Sequence, residues 1–165
     1  EILVQRAKMK AVVQLSRSLL PIIRKGFAGV GNGTTSNAFV ARNMKAVTVD
    51  EKNVGTIDFD LLQVAAGMLN PPKVTVNYDE ESKKFQFVQE MQEEEDGYAF
   101  AGDQVYGVLY ETVRERARLI TLRVRGEGGS TSYALPDEWD NTKVKAYCFA
   151  TLDNGKMASD SLLIS

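Results

Sequence analysis

The sequence predicts an α+β fold in which N-terminal helices precede an antiparallel β-sandwich. Apolar residues recur at a helical spacing before about residue 50, and they alternate with polar residues at a period of two after it. The charge changes at the same place: residues 1–47 hold eight basic residues and one acidic residue, a net charge of +7, whereas the rest of the chain carries −9. We therefore expect a helical head, residues 1–50, and a β-sandwich domain, residues 51–165.

The first helix is predicted over residues 2–20, where apolar and basic positions alternate at helical spacing. Its apolar positions are Ile2, Met9, Val12, Val13, Leu15, Leu19 and Leu20. Pro21 has no backbone donor, so we expect the helix to kink or restart there. Gly26 is typical of a helix C-terminus.

A glycine-rich stretch, residues 26–33, follows the first helix. A dinucleotide-binding loop requires a strand before its glycines, and a P-loop requires a Lys-Thr or Lys-Ser pair after them. Neither is present here, so we interpret the stretch as a connector. A hydroxyl at Thr34, Thr35 or Ser36 can cap a second helix that runs to about Val47.

Beyond Asp50 the alternation predicts seven or eight short strands. The first alternating runs are Ile57, Phe59 and Leu61, then Val74 and Val76. Further strands are predicted around Phe85 and Phe87 and at residues 104–111, 117–125, 131–135, 142–152 and 161–164. Turn clusters separate them, and Asp153-Asn154-Gly155 between apolar strands is a strong hairpin signal. This number and spacing of strands indicate a β-sandwich.

The stretch LPDEWDNTKVKAYCFATLDNGKMASDS resembles the closing half of a fibronectin type III or immunoglobulin-like sandwich. There a Leu-x-Pro-type corner leads into a long strand, a glycine turn and a final strand. Leu135-Pro136, residues 144–150 and Asn154-Gly155 would take those places. Val144 stands where that fold often has a tyrosine, so the resemblance implies a fold and no binding function.

Nearly the whole chain resembles an uncharacterised family of Bacteroidetes proteins, classed only as a domain of unknown function. The matching features are QRAKM at residues 5–9, LLPIIRKGF at 19–27, the SNAF helix at 36–46 and the closing LPDEW, VKAYCFA and DNGK segments. Members carry a glycine-rich stretch ahead of the first helix. This chain begins at Glu1 inside the helical pattern, so we expect its gene product to extend upstream. The resemblance implies no activity.

Composition excludes several kinds of site. The chain has no histidine and a single cysteine, Cys148, which excludes histidine-based nucleophile systems and zinc sites of the usual ligand sets. Asp58, Asp60 and the acidic run 93–96 lack the form of a calcium loop, so we interpret them as solvated residues. We expect no catalytic residue, no metal and no cofactor. The single cysteine favours a reducing, cytoplasmic compartment.

Two function hypotheses remain from the sequence. In the first, the protein is a non-catalytic binding or assembly module that contacts a protein partner or a second copy through its first helix. The residues expected at that surface are Val12, Val13, Leu19, Arg6 and Lys10, and we expect the first helix to bury Val12, Val13 and Leu19 either against the sandwich or against another chain. The alternative is a carbohydrate-binding or glycoside-processing sandwich that uses Trp139, tyrosines and carboxylates. The tyrosines in question are Tyr98, Tyr106, Tyr110, Tyr133 and Tyr147.

Nucleic acid and membrane are weaker candidates. The arginine-rich stretch contains Arg114, Arg116, Arg118, Arg123 and Arg125. We expect Arg123 and Arg125 to face solvent and to pair with nearby carboxylates. An isoelectric point near 5.3 argues against nucleic-acid binding. No run of 18 apolar residues occurs, so we expect no membrane span.

Overall fold

The computed structural model describes residues 1–31, 33–94 and 97–165, and within them three α-helices precede nine strands, with short 3₁₀ helices at Met44–Ala46 and Asn141–Lys143. The helices are α1 (Ile2–Ser18), α2 (Leu20–Gly26) and α3 (Thr35–Asn43). The strands are β1 (Val47–Val49), β2 (Gly55–Ile57), β3 (Val74–Asp79), β4 (Lys84–Gln89), β5 (Gln104–Glu111), β6 (Arg116–Val124), β7 (Gly129–Ala134), β8 (Val144–Thr151) and β9 (Leu162–Leu163). The predicted α+β class is confirmed.

Two antiparallel sheets pack face to face. One has the strand order β3-β4-β7 and the other β6-β5-β8-β9. Phe85 and Phe87 from β4 meet Leu109 on β5 and Cys148 on β8 in the core between them. A Cβ atom at Gly107 would lie 2.7 Å from the ring of Phe87, so the sheets approach this closely because β5 has glycine there. The predicted β-sandwich is therefore present.

The helices form a third layer on the outer face of the four-stranded sheet. Tyr106, Val108, Tyr110, Tyr147 and Phe149 share a second core with Val12, Leu15, Leu19, Ile22, Ile23, Phe27 and Phe39. Strands β5 and β8 are consequently buried on both faces, and nearly every one of their residues is inaccessible. This explains why their sequences read as continuous apolar runs and not as alternating ones.

The boundary between head and sandwich is a hairpin. β1 and β2 are joined by a turn at residues 50–54 and pair antiparallel, with Val47 opposite Ile57. α3 ends at Asn43, and a 3₁₀ helix, Met44–Ala46, continues the helical segment to the start of β1 at Val47, close to the predicted end. The strand expected through Leu61 also stops early, at Ile57. There Asp58 Oδ1 accepts a hydrogen bond from the Asp60 amide and turns the chain, and Leu61 is half exposed.

The break between α1 and α2 follows from proline. α1 ends at Ser18, and Pro21 lies in the first turn of α2, where its missing donor costs no hydrogen bond. α2 ends at Gly26, as predicted. A Cβ at Gly26 would lie 2.5 Å from the Val64 carbonyl oxygen, and the Gly26 carbonyl accepts from the Ala66 amide at 3.0 Å. The helix therefore packs backbone to backbone on the segment that leads into the sandwich.

The position of the Arg125 side chain differs from the one predicted from the sequence. It was expected to face solvent, yet its side chain is completely buried. The register between β5 and β6 shifts between Gln104 and Tyr106, and β6 ends at Val124. The extra residue of a bulge reverses the alternation, so the side chain that follows the strand turns inward.

Candidate interaction surface

The structure separates the five residues predicted for the interaction surface. Val12 and Leu19 are fully buried in the core that α1 shares with the four-stranded sheet, so they do not lie on the surface. Arg6 and Lys10 are exposed, and Val13 is half-buried. Of the two alternatives for Val12 and Leu19, burial is therefore against the sandwich and not against another chain, and their place on the interaction surface is corrected because the chain's own sheet covers them.

A second apolar stripe runs along the solvent side of α1. Ile2, Met9 and Val13 are spaced by seven and four residues and therefore share one face of the helix. Ile2 is 69% and Met9 46% exposed. An exposed basic stripe runs beside the apolar one. It consists of Arg6, Lys10 and Arg17, which are spaced by four and then seven residues. We call these six residues the outer face of α1.

Little of the positive charge of the head is used to hold it on the sandwich. Among the described residues, Arg42 is the only basic side chain of the head with a carboxylate oxygen within 4 Å, that of Asp160 at 3.6 Å. The head attaches instead through its apolar core and a few polar links, such as the Gln14 amide donating to Glu115 Oε1 at 3.2 Å. The cations of α1 are therefore available to an external partner.

A groove of about 460 Å³ lies along the other side of α1, between this helix and the β1–β2 hairpin. Lys10, Gln14 and Glu115 form its polar rim, and Phe59 and Tyr110 lie among its apolar lining. Burial, reinforced by the nearby Glu115 carboxylate, raises the pKa of Tyr110 to about 12. The phenol therefore stays protonated at neutral pH and has little capacity as a general base.

The thiol is similarly inert. Cys148 lies at the centre of β8 with no exposed surface, and burial raises its pKa to about 12. Its neighbour Tyr147 also has a raised pKa, caused first by burial and then by the Asp60 and Asp58 carboxylates. A nucleophile requires the thiolate form, which burial disfavours here.

The acidic residues do not assemble into a metal site within the described ranges. No group of three or more His, Cys, Asp or Glu side chains converges there. Asp58 and Asp60 occupy the turn after β2 and not one face of a strand. In the acidic run at 93–96, Glu95 and Asp96 lie outside the described residues.

The aromatic residues of the carbohydrate alternative are mostly internal. Trp139 is 7% exposed, belongs to the core between the sheets and has the Arg118 guanidinium 5.1 Å from its ring centroid. Of the five tyrosines, Tyr106, Tyr110 and Tyr147 are buried in the core beneath the helices. A sugar platform requires an exposed ring face, which Trp139 does not provide.

Three members of the arginine-rich stretch pair with carboxylates, and one of them is the buried Arg125, whose Nε lies 2.8 Å from Asp103. Arg114 lies 3.6 Å from Glu111, and Arg123 lies 3.4 Å from Glu127. Glu111 is itself buried and accepts from the amides of Val113 and Arg114 in the β5–β6 turn. These pairs fix a turn and a strand end, so the stretch does not form a free basic surface.

Sequence reasoning missed the outer face of α1 as a separate stripe. The signal was present, since Val12, Leu15 and Leu19 have the spacing of one helix face whereas Ile2 and Met9 fall on another. When a helix with two apolar sides packs one of them against a sheet, the other apolar side stays exposed to solvent. Only the structure shows which side that is.

No helix in the described ranges is both long and apolar enough to cross a membrane. Comparison of the chain with profiles of protein families, with curated proteins and with solved structures finds no match. The class that the fold and surface define is an α+β sandwich protein with a basic, amphipathic helix on its exterior.

Proposed function

We propose that this protein is a non-catalytic interaction module that binds another protein through the outer face of α1. The observation that carries the proposal is the juxtaposition on one helix face of exposed Ile2 and Met9 with Arg6 and Lys10, neither of which has a carboxylate oxygen within 4 Å in the part of the chain described. Exposed apolar side chains rimmed by charge are typical of a surface that a partner covers.

The helix is well suited to this role because its opposite side is fixed. Val12, Leu15 and Leu19 anchor α1 on the four-stranded sheet, so a partner would meet an ordered surface and lose little entropy in organising it. Complete burial of an Ile or Met side chain contributes roughly 1.5–3 kcal/mol. Two such residues and a polar rim are appropriate for a modest, regulated association.

The non-catalytic part of the proposal rests on chemistry. The chain has no histidine, its thiol is buried in β8, and the tyrosines with shifted pKa values are shifted away from neutrality. General acid–base catalysis needs a group that titrates near the working pH.

We further propose an immunoglobulin- or fibronectin type III-like sandwich and membership of the Bacteroidetes family, on the motifs quoted above.

A photo-crosslinking experiment tests the proposal. p-Benzoylphenylalanine would replace Met9 in one variant and Lys84, an exposed residue of the sheet remote from the helices, in a matched control. In cells that make the protein naturally, we expect a discrete protein adduct from position 9 and none from position 84. Equal labelling at both positions, or none at position 9, would remove the basis for the proposal.

A further inference from the structure

We infer that the partner segment that covers the outer face of α1 is an acidic amphipathic helix. The inference rests on the proposed function and specifies the chemistry of its ligand.

The charge of α1 has one sign. Between Ile2 and Ser18 the helix contains Arg6, Lys8, Lys10 and Arg17 and no Asp or Glu. Arg6, Lys10 and Arg17 are exposed, and each lacks a carboxylate within 4 Å among the residues described. A partner with Asp or Glu opposite these cations supplies the missing counter-charges, which steers association and selects the partner.

The same distribution disfavours a second copy at this surface. In a symmetric pair each α1 would present the same patch to the other, so basic stripes would face basic stripes. Like charges placed opposite each other across an interface are unfavourable and suppress that pairing. The partner must therefore differ from α1 in charge while matching it in apolar spacing.

The spacing favours a helical partner. Ile2, Met9 and Val13 follow the seven- and four-residue repeat by which one helix packs along another, with Ile2 and Met9 at heptad position d and Val13 at a. In this register Lys10 and Arg17 fall at e, a flanking position where coiled coils place their interhelical ion pairs, and Arg6 falls at an a position of the seam. At a rise of 1.5 Å per residue the stripe extends over roughly 16 Å, about three helical turns. An acidic helix of about three or more turns, with apolar residues at heptad spacing, fits it.

The test uses a defined probe. A fluorescein-labelled peptide of about 21 residues would carry Leu at heptad a and d positions, Glu at e and g and Ala elsewhere, and a control peptide would carry Gln in place of every Glu. Anisotropy titrations with the full chain should show binding of the Glu peptide that weakens as salt rises. We expect the Gln peptide to bind at least about tenfold more weakly.

Matched variants locate the binding. Arg6→Glu/Lys10→Glu should weaken binding of the Glu peptide at least about tenfold, whereas Lys84→Glu on the opposite sheet should leave it unchanged. These residues are exposed, so circular dichroism and melting curves should match those of the parent. Equal affinity for both peptides, or indifference to the α1 charge reversal, would overturn the inference.

Three further outcomes would also overturn it. The first is sedimentation analysis showing self-association abolished by Met9→Glu. The second is binding to vesicles containing phosphatidylserine with no binding to the Glu peptide. The third is a crosslinked partner at position 9 whose contacting segment is not acidic. That result would leave the proposed function intact, whereas the absence of any adduct at position 9 would defeat the proposed function itself.

Discussion

Arg125 Nε donates a hydrogen bond to Asp103 Oδ2 at 2.8 Å, and both side chains are almost completely removed from solvent. The other guanidinium nitrogens donate to Gln92 Oε1 at 3.1 Å and to the Asn70 carbonyl at 2.6 Å. The Phe100 amide also donates to Asp103 Oδ2, at 2.9 Å. The pair thus ties together three connecting segments of the sandwich: those between β2 and β3, between β4 and β5, and between β6 and β7.

Removing one partner of this pair should destabilise the fold strongly. We expect Asp103→Ala to lower the free energy of unfolding by about 3–5 kcal/mol, because it leaves the Arg125 guanidinium buried without its counter-charge. The double variant Asp103→Leu/Arg125→Met should recover most of that loss, since no uncompensated charge remains. Urea denaturation measures both. A double variant as unstable as the single one would show that the pair itself supplies stability.

Leu3 in α1 and Leu19 at the junction of α1 and α2 give a matched pair that tests how the head is held. Leu19→Ala removes a fully buried side chain and should cost about 2–5 kcal/mol, because a cavity opens above the four-stranded sheet. Leu3 is 59% exposed, so Leu3→Ala should change stability by less than about 0.5 kcal/mol. Thermal melts compare the two. Similar small effects would mean that the head is not part of the cooperative unit.

Gly26 and Gly33 test the backbone contact of α2. A Cβ at Gly26 would meet the Val64 carbonyl oxygen at 2.5 Å and Ala65 Cα at 2.8 Å, so Gly26→Ala should destabilise the protein by about 1–3 kcal/mol through overpacking. No atom lies within 4 Å of a Cβ built at Gly33. Gly33→Ala should therefore be close to neutral in the same chemical denaturation experiment, and a loss equal to that of Gly26→Ala would contradict the packing argument.

Cys148 should be unreactive in the native protein. Burial raises its pKa from 9.0 to about 12, so Ellman's reagent at pH 8 should label it only as fast as the chain unfolds. Above pH 9 the unfolded thiol ionises and the folded one does not, so stability should fall as pH rises from 9 towards 12. The decline attributable to this thiol is about 1.4 kcal/mol per pH unit and should be absent in Cys148→Ala. Rapid labelling without unfolding would disprove its burial.

The number and position of most strands could be predicted because turn residues and alternation are local features. Residues 104–111 were predicted as a strand with the bounds that β5 has. Leu61 was placed wrongly because the Asp58 side chain turns the chain before the alternation ends, and a side-chain hydrogen bond of this kind competes with the strand pattern. Arg125 was placed wrongly because a bulge depends on the pairing partner, which no single strand reveals.

For the candidate surface, the sequence by itself determined that α1 is basic, that it has apolar residues on more than one side and that no histidine chemistry is possible. Only the tertiary structure decided which apolar side is used internally. The four-stranded sheet presents Tyr106, Val108 and Phe149 on its outer face, and these cover Val12 and Leu19 and leave Met9 outside. Helix periodicity defines faces relative to the helix axis, whereas burial depends on where another element lies around that axis.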